Sequence, residues 1–200
     1  EEMKAHSVPD WYIESCKRIK YMFPKAHAAA YVLMAMRIGW FKVYQPLAFY
    51  VAYFTVRADE FDAELMTHGK EKVSQKIKEL ETMGNSISAK DRNVLTILEV
   101  ANEMYARGIN FMPVDLYKSA ATKFEIEGDG IRPPLNSLPG LGTTAANSIV
   151  EAREQGEFIS IEDLRIRSKI SKTVIEILTQ NGCLNDMPES SQMSLFTFMS

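Results

Sequence analysis

The stretch Asn136–Arg153, NSLPGLGTTAANSIVEAR, decides how the last third of the chain folds. Leu138-Pro139-Gly140-Leu141-Gly142 sets two glycines around one apolar residue, and Ala146 and Ile149 follow at helical spacing. Glycines permit a tight turn and a close approach of backbone to a ligand. A helix beginning after them, at Thr143, turns its first N–H groups outward, where they can bind a phosphate oxygen. Leu141 is expected to plug the core, and Ala146 to let two helices pack closely.

This pattern resembles a helix-hairpin-helix motif. A worn copy follows: aligning Gly140-Leu141-Gly142 with Lys169-Ile170-Ser171 sets Ile149 opposite Leu178. The second copy, RSKISKTVIEIL, lacks both glycines, keeps the apolar plug and adds Arg167, Lys169 and Lys172. A tandem pair straddling a duplex gives the candidate DNA contacts Gly140, Leu141, Gly142 and Thr143, then Arg167, Lys169, Ser171 and Lys172. In the second copy, backbone contacts are replaced by side-chain charge or lost. Contacts of this kind grip phosphate and read no base sequence. The plain alternative is a helical turn with a glycine cap.

Charge sets the terms of any such contact. The 200 residues carry a formal net charge of −3, with a pI near 5.7. Binding to nucleic acid through bulk charge is excluded, so contact must be local and geometric. Residues 1–50 hold 7 Lys/Arg against 4 Asp/Glu, while residues 51–130 hold 10 against 14 and residues 131–200 hold 6 against 8. Cys16 and Cys183 lie far apart with no metal-ligand spacing around them, which fits a reduced, cytoplasmic protein. No secretory leader is legible at Glu1-Glu2-Met3-Lys4, and no apolar run reaches the roughly 18 residues a membrane span needs. The chain does not begin with Met and starts in what reads as mid-helix, as a fragment of something longer would.

The expected fold class is mainly α, with a small β-hairpin. Helices are predicted from Asp10, from Pro24 to about Val43, from Pro46, over 59–66, over 70–83, and from an N-cap at Ser88 to Gly108. TKFEIEGDGIRPP, at Thr122–Pro134, alternates Phe124 and Ile126 with polar residues and turns at Gly128-Asp129-Gly130, as a β-hairpin does. Pro133-Pro134 reads as a stiff joint. The predicted organisation is 1–130 as one helical region, 131–186 as a tandem helix-hairpin-helix domain and 187–200 as a flexible tail.

Two further stretches carry chemistry. YMFPKAHAAAYVLMAMRIGW, Tyr21–Trp40, is largely apolar yet opens on Pro24, Lys25 and His27 beside three alanines. At the other end, Gln192-Met193-Ser194-Leu195-Phe196 is a short peptide whose Leu195 and Phe196 suit an apolar pocket while Gln192 suits its rim. It is similar to the peptide by which bacterial replication proteins bind the sliding clamp.

Taken in order, FPKAHAAAY, the hairpin pair and the terminal peptide resemble the C-terminal end of the PolC-type replicative DNA polymerases of the bacterial C-family, over essentially all 200 residues. The KAHAAAY core has a variant in the sister DnaE branch. A clamp peptide at the extreme terminus, with no OB domain after the hairpins, favours PolC. The resemblance implies that 1–130 belongs to the fingers. Phe23, Lys25 and His27 would then face the incoming dNTP, with Arg18 and Lys20 as lesser candidates and the residues from Val32 onward as support. It implies primer-template DNA, dNTP, the sliding clamp and other replisome subunits as partners, and no membrane. Mg²⁺ would serve the whole enzyme, held by aspartates outside this chain, so the chain alone is expected to be inactive and to hold no catalytic residue. Asp59, Glu60, Asp62 and Glu64 read as a solvated helix face. An apolar face exposed within residues 1–60 is expected if the chain needs the rest of the polymerase. Two other functions fit the sequence: a non-enzymatic adaptor binding DNA and clamp, and a repair nuclease or glycosylase using Lys169, Lys172 or Asp163 beside the hairpin.

Overall fold

A computed structural model describes residues 1–18 and 24–190. Phe23, Lys20 and the peptide Gln192, Met193, Ser194, Leu195 and Phe196 lie outside the described residues. The chain forms two compact units, Glu1–Tyr44 and Gln45–Ser200.

The first unit holds α1 (Glu2–Ala5), α2 (Asp10–Arg18) and α3 (Lys25–Tyr44). Pro24 accepts the first intrahelical bond of α3, from the Ala28 N–H at 3.1 Å, so its own missing N–H costs nothing there. No residue of α3 is buried, although the helix is apolar on every side from Tyr31 to Tyr44. Helices of that composition ordinarily sit inside a protein. The residues from Val32 to Tyr44, expected to be structural support, are exposed apart from the half-buried Lys42.

The second unit begins with α4 (Pro46–Val56), whose Tyr50 and Phe54 are fully buried. The helix expected over 59–66 is broken instead: a 3₁₀ turn at Ala58–Glu60 is followed by extended backbone at Phe61 and by α5 (Ala63–Met66). Asp62 explains the break, because its Oδ1 accepts the Leu65 N–H at 3.0 Å and starts a new helix. α6 (Lys70–Thr82) packs along α7 (Ala89–Ala106) through Val73 and Leu80 on one side and Ile97, Leu98 and Met104 on the other. Ser88 caps α7 as its position predicts, with its Oγ accepting the Asp91 N–H at 3.0 Å.

The hairpin forms from β1 (Glu125–Glu127) and β2 (Gly130–Arg132), antiparallel, with Ile126 opposite Ile131. Ile131 is buried and Ile126 is exposed; the inward aromatic is Phe124, just ahead of β1. Phe124 meets Phe54, Phe61 and Phe111 with ring centroids 4.9–6.2 Å apart. Each such buried ring contributes about 1.5–3 kcal/mol, and together they join α4, the loop after α7 and the hairpin. Arg132 is buried in β2, where its guanidinium forks onto Glu127 and donates to the Pro113 carbonyl. The guanidinium holds the Glu127 carboxyl below its ordinary range. The core therefore runs unbroken from Tyr50 to Leu184 and passes through residue 130, where the sequence texture had marked a boundary. Pro133 and Pro134, read as a stiff joint, are buried in it.

The chain closes with α8 (Thr143–Arg153), α9 (Ile161–Ser168) and α10 (Lys172–Gln180), giving a mainly helical fold with one small hairpin. No helix among the described residues is long and apolar enough to cross a membrane.

Candidate nucleic-acid interface

The first glycine hairpin is built by a turn and a plug. Leu141 N–H donates to the Leu138 carbonyl at 3.0 Å, and Gly140 takes φ +88°. A side chain there is strained by the backbone and crowded too, because a Cβ on Gly140 would lie 3.0 Å from Ile177 Cδ1 of α10. Leu141 is 2% exposed and sits in the core with Ala146 and Ile149, as the spacing predicted. Gly142 is the N-cap of α8 with an unstrained φ of −71°, and a Cβ added to it would meet nothing within 4 Å. The fold does not need a glycine at 142. What its small size leaves is open backbone at the start of an eleven-residue helix, with Thr143 and Thr144 exposed beside it.

The second hairpin repeats this geometry with other residues. Lys169, opposite Gly140, adopts the left-handed region at φ 54° and ψ 30°. Ile170, opposite Leu141, is buried at 6% exposure. Ser171, opposite Gly142, caps α10, its Oγ accepting the Val174 N–H at 3.3 Å. Ile149 and Leu178 both fall to 0% exposure. A lysine is an uncommon occupant of left-handed backbone, which favours glycine. Both hairpins thus present an exposed helix start, bare in the first and flanked by Lys169 and Lys172 in the second.

Arg167 does not join that exposed set. Its guanidinium donates to the carbonyls of Ala152, Gly156 (2.9 Å) and Glu157 (3.0 Å), meets Asp163 Oδ2 at 3.2 Å and lies 4.6 Å from the centre of the Phe158 ring. Five partners engage the fork, and the side chain keeps 22% of its surface exposed. The residue closes the C-terminal end of α8 and holds the loop into α9, satisfying carbonyls that a helix end leaves open. Arg153 works alike, donating to the carbonyls of Leu116 and Ser119 at 2.7 Å each. Apart from Asp163, their acceptors are backbone groups, which carry no sequence signature, so spacing alone cannot tell such an arginine from a phosphate ligand.

The other expected site residues are more loosely placed. Lys25 and His27 are exposed on the first turn of α3, with the His27 ring 4.5 Å from that of Tyr31. Arg18 ends α2 and is exposed. Among the described residues no three His, Cys, Asp or Glu side chains gather as a metal-ion set. Cys183 is largely buried, and burial, with Asp115 nearby, pushes its thiol up to about 11.

A family model described as a helix-hairpin-helix motif matches residues 108–193, which takes in both hairpins. The chain is also similar to curated proteins named DNA polymerase III PolC-type. That of Clostridium perfringens is 65% identical over 194 residues, 97% of this chain and 13% of the relative. That of Caldanaerobacter subterraneus subsp. tengcongensis is 62% identical over 196 residues, and that of Bacillus subtilis 57% over 196, each covering 98% of this chain and 14% of the relative. The chain spans about a seventh of the length of these relatives. Over nearly its full length, it is a homologue of one segment of the PolC-type DNA polymerase III proteins.

Proposed function

We propose that this chain is the part of a bacterial replicative DNA-directed DNA polymerase that grips duplex DNA through two helix-hairpin-helix turns. The observation that carries it is the matched geometry of the hairpins: left-handed backbone, buried plug and exposed helix start in each, one with a bare Gly142 and the other with Lys169 and Lys172. Gly140 and Leu141 shape the first turn, and Gly142 and Thr143 offer its amides to a phosphate. Ser171, Lys169 and Lys172 serve the second. A contact built from amides explains how a chain of net charge −3 binds a polyanion.

In this proposal residues 1–130 belong to the fingers, and Lys25 and His27, with Phe23, Lys20 and Arg18, face the incoming dNTP. The rest of the polymerase covers the apolar surface of α3. It also supplies the carboxylates that hold Mg²⁺ for phosphoryl transfer. Gln192–Phe196 binds the sliding clamp, where tethering on the same DNA raises the effective concentration of a weak peptide.

The test is kinetic and uses the whole polymerase. Lys25→Ala is expected to raise KM for dNTP or lower kcat while leaving duplex affinity unchanged. Unchanged kinetics would turn the assignment toward an adaptor that binds DNA and clamp. Extension of a primed template by the 200-residue chain alone would overturn the division of labour.

A further inference from the structure

Beside the first hairpin lies an open cleft of about 640 Å³. Pro139–Thr143 forms one wall, and the first two turns of α7 form another, with Lys90 and Asn93 facing the cleft. Phe61, Leu138 and Leu141 line it as well and are buried in the core, which fixes the walls. Lys90 and Asn93 are three residues apart on a helix and share one face.

Neither side chain has a structural task that accounts for it. Both are exposed, and neither makes a side-chain hydrogen bond or ion pair among the described residues. The start of α7 is already closed by Ser88 and Asp91. Two carboxylates share the cleft, and each is engaged: Asp62 Oδ1 accepts the Leu65 N–H at 3.0 Å, and Glu60 Oε2 stands 3.6 Å from Arg57 Nη1. Lys90 is therefore the uncommitted cation of this cleft.

We infer that Lys90 and Asn93 hold a phosphate of the same DNA strand that the first hairpin grips, the neighbour along its backbone. The inference rests on the hairpin's proposed role as a phosphate site. The cleft is open and continuous with Gly142 and Thr143, so a ligand held by those amides extends into it if it is a polymer. Successive phosphates advance about 3.4 Å along the axis per nucleotide of one strand. Lysine meets such a phosphate as a point charge, and the asparagine amide adds two N–H donors. The contact lies outside the hairpin motif proper, and it reads no base.

The experiment measures binding of the 200-residue chain to a short labelled duplex by fluorescence anisotropy across a potassium chloride series. Lys90→Ala is compared with Gly142→Asp and with the unchanged chain. Lys90→Ala is expected to weaken binding about three- to tenfold at low salt on any duplex sequence, and to reduce the salt slope by about one. Its melting temperature should stay put, and Lys90→Arg should recover the affinity. If Gly142→Asp weakens binding while Lys90→Ala changes neither affinity nor slope, the hairpin stands and the Lys90 contact is wrong. If neither variant matters, both fail. A Lys90 effect without a Gly142 effect overturns the shared-strand assignment.

Discussion

The two hairpins share a left-handed residue, a buried plug and an exposed helix start, with opposite chemistry. In Leu138–Gly142 a glycine occupies the left-handed position without strain, and another leaves the helix start bare. In Ser168–Ser171 a lysine occupies the left-handed position at a cost, and a serine caps the helix start. One hairpin keeps backbone accessible; the other accepts strain to place charge. A fold needing only a turn would favour glycine at both positions, so Lys169 is better explained by what its side chain reaches.

The largest effect expected from this comparison is at Gly140. Gly140→Val forces a β-branched residue into left-handed backbone and against Ile177, and should destabilise the chain by about 2–3 kcal/mol in denaturant unfolding. An unchanged midpoint would show that the first hairpin relaxes freely. Arg167 comes next. Arg167→Ala opens the end of α8 and should cost about 2 kcal/mol, with Arg167→Lys recovering less than half, because one compact ammonium cannot span the acceptors that the planar fork reaches. If instead Arg167→Ala leaves stability intact and lowers only duplex affinity, Arg167 is a phosphate ligand after all. The smallest and most diagnostic change is Lys169→Gly. It should raise stability by about 0.5–1 kcal/mol while weakening duplex binding a few-fold. A gain in both would remove the reason offered for the lysine.

Much of this was legible in the sequence because it depends on local rules. The Gly-Leu-Gly spacing located the first hairpin, and apolar register alone found its worn copy, down to the pairing of Ile149 with Leu178. Ser88 announced its cap, and Gly128-Asp129-Gly130 announced the turn between β1 and β2. What stayed hidden depends on distant partners. The carbonyls that occupy Arg167 come from α8 and the loop after it, and Phe54, Phe61, Phe111 and Phe124 meet only once the chain has folded. The change of texture near residue 130 marked a change from helices to a hairpin, which the core does not treat as an edge.

Duplex binding by Gly142→Asp tests the central claim most directly. Aspartate is a favoured N-cap, and its charge suits the positive end of a helix, so α8 should be as stable as before or more so. The same carboxylate stands where a phosphate oxygen is proposed to bind. Melting temperature and duplex affinity should therefore move apart: an unchanged or raised melting temperature, with affinity at least about tenfold weaker at low salt. Unchanged affinity in the stable variant would contradict the claim that the start of α8 holds a DNA phosphate.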